Sequence, residues 1–363
     1  MAQNNPLVSV VMSVYNGEAF LGEALESILQ QTYTNFECIV IDDCSTDTTP
    51  ELLQQYASAD RRITVYRNEN NLRLPSSLNK AIGLARGKYI ARMDADDICL
   101  SDRLAKQVAF MESSPDIDVS FCKFMTLKNG VASPGMCGRR CDAPAIRAML
   151  LFFNPVLHPG VIAKAELMKK MPYDPTHTCT EDLELWSRMT LQGINITAQD
   201  EYLMLYRLHD KQITATTLQK QFEEVAKVQA RYYSTLLFPM EDANMDFLLK
   251  SVYFHTEVRP KAFYDFYRRH KRVNRVKRFF TNDAIDYAAF EIFTAYKHQG
   301  ISKAEFLQGL PCFSPLFLTQ EFINRKKRQT TDIQKCRTAA KYTGRLQEIK
   351  DPQNAAFPSF RLL

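Results

Sequence analysis

Three carboxylates in four positions, Asp94, Asp96 and Asp97, follow the apolar stretch from Lys88 to Met93. Carboxylates this close repel one another unless a cation or a shell of donors offsets the charge. After a strand, an Asp-x-Asp pair projects two oxygen donors to one side, because extended side chains alternate with period two. Hard oxygen ligands so arranged suit Mg²⁺ or Mn²⁺, which complete their shells with water and phosphate oxygens. Taken alone, the same residues also fit a solvated acidic loop that caps the next helix. Two further acidic groups stand out. Asp42-Asp43 ends another apolar run, and Glu181-Asp182 opens a helical pattern over Glu181–Leu191, where Thr178 and Glu181 have the spacing of a capping box.

The elements that must hold these carboxylates alternate between strand and helix. Leu7 to Val14 is an apolar run rich in β-branched residues, the pattern of a strand buried on both faces. Phe20, Leu21, Ala24, Leu25, Ile28 and Leu29 then recur at the spacing of an amphipathic helix. Strands are predicted over 37–41, 62–66 and 88–93. Between them, Pro50 fits a first helical turn, Gly87 closes a helix through Leu78 and Ala85, and Ser101 caps a helix over 102–112. Alternation of this kind predicts a mostly parallel, Rossmann-like sheet flanked by helices. Ligands of such sheets bind beyond the carboxyl ends of the strands, which places Ser13 and Tyr15, Asp42 and Asp43, and Asp94 and Asp96 on one rim. Neither a Walker loop nor a G-x-G-x-x-G occurs, so kinase and dinucleotide chemistry lack their main support.

The 363 residues suffice for a large domain plus an extension. No apolar run approaches the length of a membrane-spanning helix, and the N-terminus lacks the basic and apolar segments of a signal peptide. Nine scattered cysteines argue against a disulfide framework and for a reducing cytoplasm, and the lone Cx3C at Cys137 and Cys141 does not define a zinc site. The net charge of +5 is unevenly spread. Of 46 Lys and Arg and 41 Asp and Glu, residues 216–363 hold 25 and 15, leaving 21 and 26 in residues 1–215. An acidic part joined to a basic part suggests metal-assisted chemistry beside attraction to something anionic.

Five segments in order, Val8–Asn16, Ser27–Tyr33, Ile41–Asp47, Ala91–Asp97 and Glu181–Trp186, resemble family 2 glycosyltransferases. The resemblance covers roughly residues 5–215. It implies an A-type glycosyltransferase fold and inverting sugar transfer from a nucleotide diphosphate sugar, of the kind that builds bacterial surface polysaccharide. On matching positions, Ser13 and Tyr15 would line the nucleotide, with Tyr15 beside the base. Asp43 would accept from the uracil N3–H, although it also fits a helix N-cap. Asp94 and Asp96 would hold Mn²⁺ or Mg²⁺, Asp96 directly, and Asp182 would take the acceptor's proton. Arg207 or His209 would meet the diphosphate or the metal. His158 matches an acceptor-side segment, or is a loop histidine satisfied by backbone. Trp186 is either core or a sugar platform. Arg73 departs from the pattern, standing where relatives often carry glycine. It either clamps a phosphate or points into solvent.

From Thr216 the pattern is helical, with apolar spacing over Gln221–Leu237, Met245–Phe254 and Asp283–Tyr296. Residues 263–280 mix aromatics with seven cations, and Arg325–Arg328 adds a second basic cluster. Such a stretch fits either a solvated bundle packed on the catalytic part or an anionic membrane surface. No nucleic-acid-binding fold is visible. The expected organisation is a catalytic domain over 1–215 and a helical, basic extension over 216–363. The expected activity is transfer of a sugar, from a UDP-sugar most of all, to a glycan or lipid-linked oligosaccharide. The enzyme would be cytoplasmic, either free or peripheral on the inner face of the cell membrane. Two competing readings are a non-catalytic nucleotide-sugar-binding or membrane scaffold protein and a metal-dependent nucleotidyltransferase.

Overall fold

The computed structural model describes residues 5–135, 142–210, 212, 218–237, 260–297, 313 and 315–341. Its first part alternates β1 (Val8–Val14), α1 (Leu21–Leu29), β2 (Phe36–Asp42), α2 (Thr49–Ala59), β3 (Ile63–Arg67), α3 (Arg73–Leu84) and β4 (Tyr89–Arg92). These strands pair in parallel in the order β3-β2-β1-β4, with Val8 opposite both Phe36 and Tyr89. β1 and β2 finish together, with Val14 opposite Asp42, while β4 ends three residues earlier, with Arg92 opposite Val11. The buried faces of β1, β2 and β4 explain why these strands read as unbroken apolar runs.

The sheet continues through β5 (Ile98–Cys99), α4 (Arg103–Ser113), β6 (Val119–Lys128), β7 (Val131–Pro134) and α5 (Ala143–Met149). A 3₁₀ turn at His158–Gly160 leads into β8 (Val161–Lys164), α6 (Ala165–Lys170), α7 (Glu181–Leu191) and β9 (Ile196–Arg207). Beyond β4 the order is β8-β6-β9-β5, with β8 antiparallel to β4 and β6, and β9 parallel to β6.

Three expected helix ends differ in mechanism. α3 closes at Ala85, and Gly87 serves another purpose: a Cβ there would lie 2.6 Å from Ser9 N and 2.7 Å from Leu7 O of the adjoining chain. Asp102, not Ser101, precedes α4, and no side chain caps it. The capping box does not form, because Thr180 is the N-cap of α7 and Thr178 Oγ1 accepts from Lys220 Nζ at 2.6 Å.

The C-terminal region contributes α8 (Leu218–Leu236), α9 (Pro260–Lys277), α10 (Asn282–Lys297) and α11 (Pro315–Lys341). The expected helix at Met245–Phe254 lies outside the described residues, as do Cys137 and Cys141. These helices share one apolar cluster with the sheet layers, through Val225, Tyr232, Phe263, Tyr267, Phe290 and Phe317 among others. Buried Lys123 on β6 reaches Asp332 of α11 at 2.7 Å and also pairs with Asp200. Five of the aromatics in 263–280 are therefore interior side chains, and Phe279 alone of the six is exposed. No described helix is long and apolar enough to cross a membrane.

Candidate active site

The aligned strand ends build the first half of the site. Asp43 N donates to Val14 O at 2.8 Å, which brings Asp43 beside the end of β1, where Ser13 is half-buried and Tyr15 is 51% exposed. The two adjacent aspartates divide their work. Asp42 turns inward, accepting from Ser45 N at 2.9 Å and facing Arg67 Nη1 at 3.3 Å. Asp43 is also buried, but Asn68 Nδ2 and Leu72 N both donate to its Oδ1 at 2.8 Å. Its Oδ2 has no donor among the described residues, so one carboxylate oxygen is fixed and the other is left to accept. Arg73 follows Leu72 with a positive φ of 70°, and its side chain is exposed. The left-handed backbone accounts for the glycine that the pattern expects there.

The acidic cluster follows β4. Single carboxylate oxygens of Asp94, Asp96 and Asp97 lie within 4.8 Å of one another. Asp96 Oδ2 is 2.9 Å from His209 Nε2, and Arg207 Nε donates to the Asp96 carbonyl at 2.8 Å. The backbone N–H of Arg207 donates to Asp97 Oδ1 at 2.9 Å, while the buried Asp97 Oδ2 lacks a hydrogen-bond partner among the described residues. Phe20 supports both basic side chains, with the Arg207 guanidinium 4.7 Å and the His209 ring 4.7 Å from its centroid. Arg207 and His209, more than a hundred residues further along the chain, therefore join the cluster. Burial, then the neighbouring aspartates, pushes the Asp97 carboxyl well above its ordinary range. Two half-buried carboxylates beside a buried one with an orphaned oxygen, all mutually repelling, fit a divalent cation.

Arg92 links this cluster to the second half. It is 3% exposed, ion-paired with Asp94, and its charge reaches Glu181, Asp182, His158 and Tyr173. A charged residue inside an apolar strand was the available signal for it. Asp182, in the first turn of α7, accepts from its own helix at Leu183 N and from Asn154 Nδ2, both at 2.7 Å. Asn154 is itself held, since its Oδ1 accepts from Val156 N at 3.0 Å. Burial raises the Asp182 carboxyl above the usual aspartate range, against the opposing pull of these donors and of Arg92. Burial and then the charge of Asp182 push Glu181 up to about 8, favouring the protonated acid at neutral pH.

His158 is buried against this pair, with Nε2 2.7 Å from the Tyr173 hydroxyl and Nδ1 3.8 Å from Glu181. Burial, followed by the Arg92 charge, holds its pKa well below the ordinary histidine value, so the ring is neutral. Tyr173 in turn exchanges backbone hydrogen bonds with the Asn79 side chain at 2.8 and 2.9 Å. Trp186 is fully buried beside His158 and belongs to the core. Asn154 and Tyr173 carried no role in the sequence reading, because nothing local marks a residue that acts through a distant partner.

A chain with parallel strands presenting carboxylates at their ends, and an acidic helix N-terminus opposite, has the layout of a sugar-nucleotide transferase. The model of glycosyl transferase family 2 matches residues 9–133. An uncharacterised glycosyltransferase of Methanocaldococcus jannaschii is 34% identical over 221 residues, covering 60% of this chain and 76% of its own. An Escherichia coli relative, the UDP-Glc:alpha-D-GlcNAc-diphosphoundecaprenol beta-1,3-glucosyltransferase WfaP, is 29% identical over 215 residues, covering 58% and 80%. The fold resembles that of S. aureus TarS 1-349 in complex with UDP-GlcNAc, with a TM-score of 0.55 at 21% identity over 80% of this chain and 89% of that one. The protein belongs to glycosyltransferase family 2, is a glycosyltransferase, and adopts the A-type fold.

Proposed function

We propose that the protein catalyses metal-dependent, inverting transfer of a sugar from a UDP-sugar to a glycan or lipid-linked oligosaccharide in cell-surface polysaccharide synthesis. The observation that carries it is the convergence around Arg92 of an acidic cluster on one side and a helix-borne carboxylate, Asp182, on the other. Residues 1–215 would form the catalytic part and 216–363 its helical extension, working in the cytoplasm at the membrane's inner face. The E. coli relative supports the donor and acceptor classes, because its name specifies a UDP-sugar and a diphosphoundecaprenol-linked acceptor.

Asp43 would fix the nucleotide by accepting the uracil N3–H at its open Oδ2, beside Tyr15 and Ser13. Asp94 and Asp96, with Asp97 and His209 adjoining, would hold Mn²⁺ or Mg²⁺. When bound, the ion neutralises charge on the departing diphosphate. Asp182 would receive the proton from the acceptor hydroxyl as its oxygen bonds to the anomeric carbon. The bond from that carbon to the phosphate oxygen breaks on the opposite face, and its electron pair leaves with UDP. Asn154 and Leu183 N–H favour the ionised form this step needs, against the opposing effect of burial.

The test follows UDP release from a panel of nucleotide sugars with and without Mn²⁺. Transfer or hydrolysis from one donor, dependent on metal and abolished by Asp96→Ala, is the expected result. Absence of metal-dependent donor binding in the intact protein would remove the proposal.

A further inference from the structure

Helix α9 has two faces of opposite character. Phe263, Tyr264, Phe266 and Tyr267 are buried, and Phe263 meets Phe152, two residues before Asn154, at 6.4 Å between ring centroids. The outer face and the turn after it carry Arg268, Arg269, Arg272, Arg275, Lys277 and Arg278, all exposed. None of the six pairs with a carboxylate among the described residues, and the one acid on this face is the exposed Asp265. Elsewhere in the C-terminal region cations do find acids: Lys271 meets Asp286 at 2.7 Å, Arg325 meets Glu291 at 2.9 Å and Lys335 meets Asp200 at 2.8 Å. Even the basic cluster at Arg325–Arg328 is partly neutralised internally, since Arg328 pairs with Glu321.

The turn that ends α9 is rigidly built. Arg278 takes a φ of 55° and donates from its N–H to Asn274 O at 2.7 Å. The Asn274 side chain donates to Phe280 O and accepts from Phe280 N, both at 3.0 Å. This clasp buries Phe280 and leaves Val276 83% and Phe279 40% exposed among the cations.

We propose that this face is a docking surface for an anionic lipid bilayer. Six cations with no acidic partner among the described residues complement a negatively charged headgroup layer, and two apolar tips can enter its boundary. The buried aromatics show that docking needs no insertion of the helix itself. Nucleic acid fits less well, because all but one of the aromatics that would stack on bases are interior. The buried face of the same helix packs on the segment that leads to Asn154, so docking would hold the catalytic part close to lipid. Its purpose rests on the proposed lipid-linked acceptor; its existence does not.

The experiment is co-sedimentation of the full chain with vesicles of phosphatidylcholine alone or with about one-third phosphatidylglycerol. Binding to the anionic vesicles only, weakening steeply with salt, is expected. At roughly fivefold per cation, Arg268→Gln/Arg272→Gln/Arg275→Gln/Lys277→Gln should reduce partition about 10²–10³-fold. Val276→Ser/Phe279→Ser should reduce it by less. Equal binding to neutral vesicles, full binding by the quadruple variant, or tighter binding to duplex DNA or RNA would overturn the proposal. So would loss of UDP release from soluble donor in the quadruple variant, since the face would then belong to the active site. Vesicle binding by a protein that shows no metal-dependent binding of any nucleotide sugar would leave the surface standing and the proposed activity refuted.

Discussion

The two halves of the site handle charge in opposite ways. At the strand ends, Asp43 keeps one oxygen open and Asp94, Asp96 and Asp97 crowd together, so negative charge is gathered where a donor and a cation can use it. Around α7, Asn154, His158, Tyr173 and Arg92 enclose Glu181 and Asp182, so one carboxyl is kept protonated and the other is steadied by donors. On the proposed mechanism, one rim would collect a polyanionic donor while its opposite wall would limit charge to a single base. Were Glu181 and Asp182 both ionised, two adjacent buried carboxylates would repel each other and the attacking hydroxyl's developing charge.

The sharpest break of this contrast is Asp182→Asn, which preserves shape and removes the proposed base. We expect turnover with acceptor to fall by about 10²–10⁴-fold while metal-dependent donor affinity, measured by calorimetry, stays within twofold. Equal loss of donor affinity would mean that the two halves are not separate devices. A smaller effect is expected from Asn154→Ala, which removes a donor to the ionised base. Turnover should drop by about tenfold, and the acid limb of its pH profile should move up by about one pH unit, because the carboxylate loses a charge-assisted hydrogen bond. A purely structural role would lower turnover without moving the limb.

Glu181→Gln addresses the suppressed charge itself. Glu181 faces Asp182, Asp94, Arg92 and the neutral His158. Its carboxyl has an ordinary value of 4.5 and is pushed up to about 8 in the fold. Below the lower value both folded and unfolded chains hold the proton. Between the two, unfolding releases it, so stability falls as pH rises, and the loss is complete above about 8. Thermal melts of wild type should therefore drop across this window, and Glu181→Gln, neutral at every pH, should flatten the dependence. Parallel curves would show that Glu181 ionises freely.

The legibility of the two halves differs for the same physical reason. Asp43, Asp94 and Asp96 follow strand ends on one rim of a parallel sheet, so their placement follows from local pattern plus one topological rule. Asp182 is similarly marked by its helix start, although the expected cap was wrong. Asn154, Tyr173 and Arg92 act through partners far away in sequence, and only packing joins them. The C-terminal aromatics show the converse limit. Amphipathic spacing at 263–280 reveals an apolar face but not what covers it, and here the covering surface is the protein's own core.

Arg73 offers the finest test, since it sits at the donor rim and breaks the pattern there. Its φ of 70° is a conformation that costs a non-glycine residue about 1–3 kcal/mol, while glycine forfeits about 0.5–1 kcal/mol of backbone entropy. Arg73→Gly should therefore stabilise the fold by about 1 kcal/mol, raising Tm by about 2–4 °C. Arg73→Ala, which keeps the strain, should not. Donor affinity separates backbone from side chain in the same pair of variants. If the guanidinium holds a phosphate, glycine and alanine weaken UDP-sugar binding alike. If it serves solvent, both leave affinity unchanged, and the glycine variant alone is the more stable protein. Stabilisation by alanine equal to that by glycine would show that the left-handed turn is not strained, and the account of the missing glycine would fail.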